Sequence, residues 1–200
     1  MYNSAVDRIF SLAEDERLRY GNSPFGNACV TARKLLRANM GTRFIQITYG
    51  SWEHHQNLYA RLTTMAGIFD AGLARLIADL KSDGLLDETL IVAQGEFGRT
   101  VGSLNGNQGR DHYSPQAVLF AGAKTRGGRA VGSSDSSGRF TADPGWSRDR
   151  DVRAEDIEAT IYSALGIDWT TLRKDNRFGR GCEYVPMADQ DLYGPVHELW

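Results

Sequence analysis

The sequence lacks the features of several classes of protein. It has only two cysteines, Cys29 and Cys182, so we expect neither a disulfide framework nor a zinc site built from cysteines. No apolar run approaches the roughly 18 residues that a membrane-spanning helix needs. The first ten residues have no basic stretch followed by an apolar core, so no signal peptide is predicted. The 23 basic and 25 acidic residues nearly cancel, which argues against a general binder of nucleic acid or of anionic membranes.

What is present suits a folded protein. The chain has 200 residues, of which 41% are hydrophobic, and these proportions allow a buried core. The length fits one ordinary domain, and no linker or internal repeat divides it, so we predict a single domain over residues 1–200. Twenty-two glycines indicate many tight turns.

Apolar residues at helical spacing predict three main helices. The first begins with Ser23 as its cap and Pro24 in its first turn, and it ends near Gly41. The second runs from Leu58 to Ser82, with one apolar face along its whole length, and the third covers residues 152–165.

Three β-branched or apolar runs predict strands. They are Arg43–Tyr49, Thr89–Gln94 and Gln116–Ala121, and the last two are continuously apolar, as strands covered on both faces are. A short further strand is predicted near residues 129–131, inside a loop-rich stretch from Ala123 to Trp146. Because strands alternate with helices, the pattern predicts a single α/β layer structure with mostly parallel strands.

Polar residues that could carry chemistry flank the predicted strands. In open α/β sheets functional groups gather beyond the carboxyl ends of strands. Mixed histidine and carboxylate ligands suit zinc or manganese, and a pair of such ions can clamp a phosphoryl or sulfuryl group. The candidate ligands are Glu53, His55, Glu96, Asp111 and His112, and the candidate anion-binding residues are Arg99 and Arg110.

Each candidate also has a simpler interpretation. The Glu53-His54-His55 stretch taken alone is more typical of a polar loop than of a ligand set. Glu96 could cap the turn that follows its strand, and His112 could be an oriented loop histidine. The three loops together point more strongly to a metal site than any one of them does.

At these residues the sequence resembles a known family, domain of unknown function 1501, a sulfatase-like bacterial family within the alkaline phosphatase superfamily. In order and spacing the resemblance extends over nearly the whole chain from Tyr20 to Asp168. The segments that carry it are Arg19–Gly21, Cys29–Leu36, Trp52–His55, Leu85–Val92, Glu96–Thr100, Gly109–Tyr113, Gly132–Asp135 and Asp156–Thr160.

The resemblance implies a three-layer α/β sandwich with a mostly parallel sheet, alkaline-phosphatase-like, and two metals at the strand ends. Glu53, His55 and His112 fall where the ligands of one metal belong, and Glu96 falls at the other metal. Two departures weaken the match. Glu53 stands where the family usually has aspartate, and Phe97 stands where the superfamily has a second-metal histidine.

Relatives are roughly twice as long, so the resemblance also implies that this chain is a partial domain that lacks the N-terminal part. That part supplies the first strand, another metal-binding aspartate and the usual nucleophile. A split gene, a truncated copy and a shortened chain are all open, and so is a partner chain that supplies the missing half. Relatives often carry a twin-arginine export signal, whereas no such signal is seen here.

Two functions follow as hypotheses. The first is a metal-dependent hydrolase acting on phosphate or sulfate esters, with a small ester as its substrate and no nucleic acid or membrane as partner. Thr100, Ser133 or Ser134 could replace the missing nucleophile, but no spacing to a base singles one out, so the catalytic residues stay unassigned. The alternative is a catalytically inactive remnant that binds a metal or a partner chain.

Overall fold

Helices form the first part of the chain in the computed structural model, which describes residues 4–175 and 177–200. The chain divides into two compact units. The first, called the helical unit below, contains the described residues up to Thr89 together with Gly102–Asp111. Its helices are α1 (Ser4–Phe10), α2 (Glu14–Arg19), α3 (Pro24–Ala38) and α4 (Leu58–Ser82), followed by a single 3₁₀ turn at Leu86–Glu88.

The helix α3 forms as its sequence predicts. The Ser23 side chain accepts a hydrogen bond from the Gly26 amide at 3.0 Å, and Pro24 occupies the first turn. The helix ends at Asn39, which adopts a left-handed conformation with φ 46°. Cys29 lies buried within it, and burial raises the pKa of this thiol to about 12.

The helices α3 and α4 pack closely because α4 carries a glycine at their contact. A Cβ at Gly72 would lie 2.8 Å from the Phe25 ring, so any larger residue there would push the helices apart. Phe25 also packs against Phe69, with ring centroids 5.5 Å apart. The predicted helices at residues 23–40 and 58–82 are therefore confirmed, and their apolar faces meet.

A buried carboxylate ties three helices together. The Asp79 side chain is only 4% exposed and forms ion pairs with Arg33 at 2.8 Å, Arg75 at 2.5 Å and Arg19 at 3.2 Å. The Tyr20 hydroxyl donates to it at 2.9 Å. Burial, reinforced by this hydrogen bond, raises the pKa of Tyr20 above its ordinary value. The buried charge is thus satisfied by donors from α2, α3 and α4, with Tyr20 at the end of α2.

Arg33 also binds Asp83, which lies one turn beyond Asp79 and directly follows the end of α4. Its guanidinium donates to both carboxylate oxygens of Asp83, at 2.7 and 3.0 Å. These hydrogen bonds hold the pKa of Asp83 below its usual value. Arg33 therefore bridges two carboxylates and fixes α3 against the last turns of α4.

The second unit, called the strand unit below, contains Leu90–Val101 and His112–Trp200. Its strands are short and pair two by two. They are β1 (Leu90–Ala93), β2 (Gly98–Arg99), β3 (His112–Tyr113), β4 (Leu119–Gly122), β5 (Ser133–Ser134), β6 (Thr141–Asp143), β7 (Leu172–Arg173) and β8 (Cys182–Glu183). The unit also contains α5 (Ala154–Ala164) and the 3₁₀ turns Ala188–Gln190 and His197–Leu199. The helix predicted at residues 152–165 is confirmed.

The predicted fold class is wrong. Within the described residues every sheet has two strands and every pair is antiparallel, so the mostly parallel sheet of an alkaline-phosphatase-like three-layer sandwich is not formed. The longest pair joins β1 to β4, with Leu90 opposite Gly122 and Ala93 opposite Leu119. The two apolar runs that predicted these strands are confirmed as strands, but their direction is opposite to the prediction.

The connections explain the antiparallel order. A parallel return needs a crossover of a dozen or more residues, usually a helix. The segment 94–118 between β1 and β4 contains the β2–β3 pair and irregular backbone, with no helix. The predicted strand Arg43–Tyr49 is also wrong, since the segment has no regular secondary structure, and Phe44 within it is 80% exposed. The short strand predicted near residues 129–131 lies slightly later, at β5.

A second buried carboxylate organises the strand unit. Asp156 on α5 is fully buried and accepts hydrogen bonds from Arg150 at 2.7 and 2.9 Å and from the Gly194 amide at 2.9 Å. The amide of Arg153 donates to it at 2.8 Å, which caps the helix. Burial raises the pKa of Asp156, but the bonds from Arg150 and the two amides outweigh it, and the pKa is lowered overall.

The described helices include none that is long and apolar enough to cross a membrane. The predicted single domain over residues 1–200 stays a prediction.

Replacing the buried Asp156 tests how much α5 depends on it. In Asp156→Asn, Arg150 loses its charged partner. The new side-chain NH₂ group replaces an oxygen that accepted hydrogen bonds, so it faces other N–H donors. We therefore expect the free energy of unfolding to fall by about 3 kcal/mol. The control is Glu158→Gln, the same chemical change at an exposed position of α5, and it should change stability by less than about 0.5 kcal/mol. Urea unfolding followed by circular dichroism measures both.

The stability difference between wild type and Asp156→Asn should depend on pH. A carboxyl group whose pKa is lowered in the folded state stabilises the fold above its unfolded pKa of about 3.9. That contribution is lost as the pH falls through the lower folded value. The stability difference between wild type and Asp156→Asn should therefore be constant near neutral pH and narrow below about pH 4. A difference that widened in acid would contradict the assignment.

Candidate metal centre

The helical unit holds a close pair of metal-ligand types, Glu53 and His55. The Glu53 Oε1 atom lies 2.8 Å from His55 Nε2, and both side chains are about half exposed, at 48% and 49%. His54 between them is buried, so the chain alternates outward, inward and outward at these three positions. Alternation of this kind places residues i and i+2 on one side of an extended chain, which is why Glu53 meets His55.

Aromatic contacts hold the segment before Glu53 against the helices. The Tyr49 ring packs on Phe25 of α3 with centroids 5.0 Å apart, and the Trp52 ring meets Phe69 of α4 edge-on at 5.8 Å. Tyr49 and Trp52 also contact each other at 5.4 Å. Because Trp52 adjoins Glu53, these rings limit where the Glu53 carboxylate can lie.

The loop Gly102–Asp111 is tied to the other side of the same segment. The Arg110 amide donates to the His54 carbonyl at 3.1 Å, and the Leu58 amide donates to the Gln108 carbonyl at 2.9 Å. Between these bonds, a Cβ at Gly109 would overlap the backbone of His55. Only glycine allows the two backbones to approach this closely.

This close approach brings Asp111 to His55. The Asp111 Oδ1 atom lies 3.5 Å from His55 Nδ1, while the Asn105 amide group donates to the same oxygen at 3.4 Å. His55 therefore has a carboxylate beside each of its ring nitrogens. Metal-binding histidines commonly donate their second nitrogen to a carboxylate, which fixes the ring and its tautomer. His55 has a carboxylate oxygen 2.8 Å from one ring nitrogen and another 3.5 Å from the other, while the predicted metal-binding roles of these residues stay predictions.

The next residue, His112, begins β3 in the strand unit. It lies opposite Arg99 of β2, and its ring packs on Phe97 with centroids 4.4 Å apart. The His112 side chain is exposed, and an imidazole is a common ligand of metal ions. Zinc and manganese both accept such ligands, whereas calcium and magnesium prefer oxygen.

Glu96 is engaged within its own unit. Its Oε1 atom lies 3.1 Å from the Arg99 guanidinium, three residues further along the chain. Arg99 in turn lies over the Phe97 ring, 5.0 Å from its centroid. The roles predicted for Glu96 as a ligand and for Arg99 as an anion clamp stay predictions.

Arg110, the other predicted anion-binding residue, is also placed by a hydrogen bond. Its guanidinium donates to the Gly102 carbonyl at 3.0 Å, at the opposite end of the same loop. Arg110 follows Gly109 and precedes Asp111, so the loop that carries Asp111 carries this cation as well.

Sequence reasoning missed three contributors to this region. The supporting rings of Tyr49 and Trp52 were not predicted, and neither was the tight contact at Gly109. His54 is 5% exposed, and neither of its ring nitrogens has a hydrogen-bond partner among the described residues. The alternation of Trp52 to His55 could have indicated that His54 points inward, but no local signal marks the contact at Gly109.

The family described as "Protein of unknown function (DUF1501)" matches residues 4–180. No curated protein and no solved structure matches the chain.

The contact at Gly109 leads to a prediction about the loop. In Gly109→Ala the new methyl group overlaps the His55 backbone, so the loop must move away and Asp111 with it. We expect a loss of about 1–3 kcal/mol in the free energy of unfolding. The control is Gly106→Ala in the same loop, where a Cβ meets nothing within 4 Å. Thermal unfolding of both variants checks this, and equal melting temperatures would contradict the close contact.

Proposed function

The chain belongs to the DUF1501 family, and we propose that it is a metal-dependent hydrolase of phosphate or sulfate esters. The observation that carries the proposal is His55, which lies between the carboxylates of Glu53 and Asp111. An exposed histidine with a carboxylate at each ring nitrogen suits a ligand whose second nitrogen is oriented from behind.

The proposed ligand set extends to the neighbouring residue in the chain. Glu53 and His55 would hold the metal, and Asp111 would accept the Nδ1 proton of His55. His112 follows Asp111 directly in the chain. We assign His112 as the second imidazole. Zinc or manganese is the ion expected from these donors.

Once bound, such an ion supplies Lewis-acid polarisation of the ester and activation of an attacking water. The protein's own side chains orient the ligands and bind the substrate. Asp111 keeps the His55 ring in one orientation and one tautomer, and Arg110 offers a guanidinium that can hold two oxygens of a phosphate or sulfate group. We propose a small phosphate or sulfate ester as the substrate, whose anionic group Arg110 would hold from the loop that also carries Asp111.

A non-catalytic role is the alternative, and a specific pair of contacts favours it. Glu96 is held by Arg99, and Phe97 occupies the position at which the resemblance places a second-metal histidine. A two-metal mechanism fails when one ion loses its ligands. In this alternative the chain binds one metal, or a partner chain, and turns over no ester.

Metal content tests the ligand assignment. Protein dialysed against zinc or manganese and then against buffer should retain about one ion per chain by elemental analysis. The His55→Ala variant should retain almost no metal, because it lacks the imidazole that lies between the Glu53 and Asp111 carboxylates. The matched control is His197→Ala, an exposed histidine outside the proposed site, which should bind as wild type does. Wild type without metal after this treatment would contradict both candidate metal-binding roles.

Turnover separates the two roles that remain. Metal-loaded wild type should hydrolyse p-nitrophenyl phosphate or p-nitrophenyl sulfate, and Arg110→Gln should slow the reaction by roughly tenfold or more while it leaves metal content unchanged. Metal retention without hydrolysis of either ester would support the non-catalytic alternative. Hydrolysis that survives Arg110→Gln would remove that residue from the mechanism.

A further inference from the structure

The segment after β8 packs its apolar side chains on α5. We call residues 185–200 the strap, and the two 3₁₀ turns of the strand unit lie within it. Val185, Ala188 and Tyr193 of the strap form a buried cluster with Ala159 of α5. Val185 and Ala159 are both 0% exposed, so each covers the other completely only while the strap lies on the helix.

Two buried side chains of α5 also bind backbone amides of the strap. Asp156 Oδ1 accepts a hydrogen bond from the Gly194 amide at 2.9 Å, and Thr160 Oγ1 accepts one from the Val196 amide at 2.9 Å. Helix positions four apart are about 6 Å apart along the axis, and alternate residues of an extended chain are about 6.6 Å apart. The two spacings are close enough for one face of α5 to hold alternate amides of the strap.

The same two side chains hold α5 itself. The second carboxylate oxygen of Asp156 accepts the Arg153 amide at 2.8 Å and so caps the helix, while the Thr160 hydroxyl donates to the Asp156 carbonyl at 2.6 Å. Arg150 likewise serves both parts, because it donates to Asp156 and, at 2.6 Å, to the Leu192 carbonyl of the strap. If the strap left, these buried groups would lose partners that they need.

We propose that α5 and the strap open and close as one unit, fastened by Asp156 and Thr160. Neither part keeps its buried polar groups paired when the other leaves, and this mutual dependence makes the two move together. The strap also reaches the turn after β4, where the Arg126 amide donates to the Leu199 carbonyl at 2.8 Å. Closing the strap therefore joins α5 to that turn, and opening it releases both.

Amide hydrogen exchange of wild type, measured over a range of urea concentrations, tests the proposal without a variant. The slowest amides of residues 154–164 and of residues 185–196 should have protection factors that agree within about threefold and fall with the same dependence on urea. Strap amides that exchange much faster than those of α5 would show that the strap opens alone, and would overturn the proposal.

A variant at Thr160 tests the fastening itself. Thr160→Val removes the hydroxyl and leaves the buried Val196 amide without its acceptor, so exchange should accelerate by about tenfold or more in both segments. The matched control is Thr141→Val, the same change at an exposed position of β6, and it should leave exchange in both segments as in wild type. Acceleration confined to α5 or to the strap, or equal acceleration by the control, would overturn the proposal.

Discussion

The helical unit depends on the burial of one charge. Asp79 is surrounded by three guanidinium groups, one each from α2, α3 and α4, and by the phenol of Tyr20 at the end of α2. A buried carboxylate without such partners would cost several kcal/mol, so the fold is stable only when α2, α3 and α4 are all in place. Those helices then provide Phe25 and Phe69, on which Tyr49 and Trp52 pack. The position of Glu53 is therefore a consequence of a network formed far from it in sequence.

The sequence predicts what is decided locally. The helices α3, α4 and α5 follow from apolar spacing together with a capping serine, a first-turn proline and left-handed stops, and all of these act within a few residues. The direction of a strand is decided by its partner instead. The apolar runs at β1 and β4 predict strands correctly, but a continuously apolar run indicates burial on both faces and does not fix the direction of the partner strand. The run Arg43–Tyr49 shows the converse, since β-branched residues do not make a strand without a neighbour.

The candidate site also has a part that local sequence predicts and a part that depends on distant contacts. Residue type and position beside a predicted strand are enough to select Glu53, His55, Asp111 and His112 as candidates. That Asp111 reaches His55 depends on a glycine whose missing side chain admits a neighbouring backbone. No spacing rule expresses that requirement. Glu96 meets the same criteria as Glu53, and its contact with Arg99, three residues along the chain, is a local pairing that the strand pattern does not predict.

The two cysteines differ in solvent exposure, so their reaction with a thiol reagent can report on the folded state. Cys182 on β8 is exposed, whereas Cys29 is enclosed in α3 with its thiol pKa raised to about 12. A maleimide dye should therefore attach to the native chain at one site, with no engineered substitution. Attachment at Cys29 requires the packing around α3 to open, so its rate reports how often the helical unit opens there under native conditions.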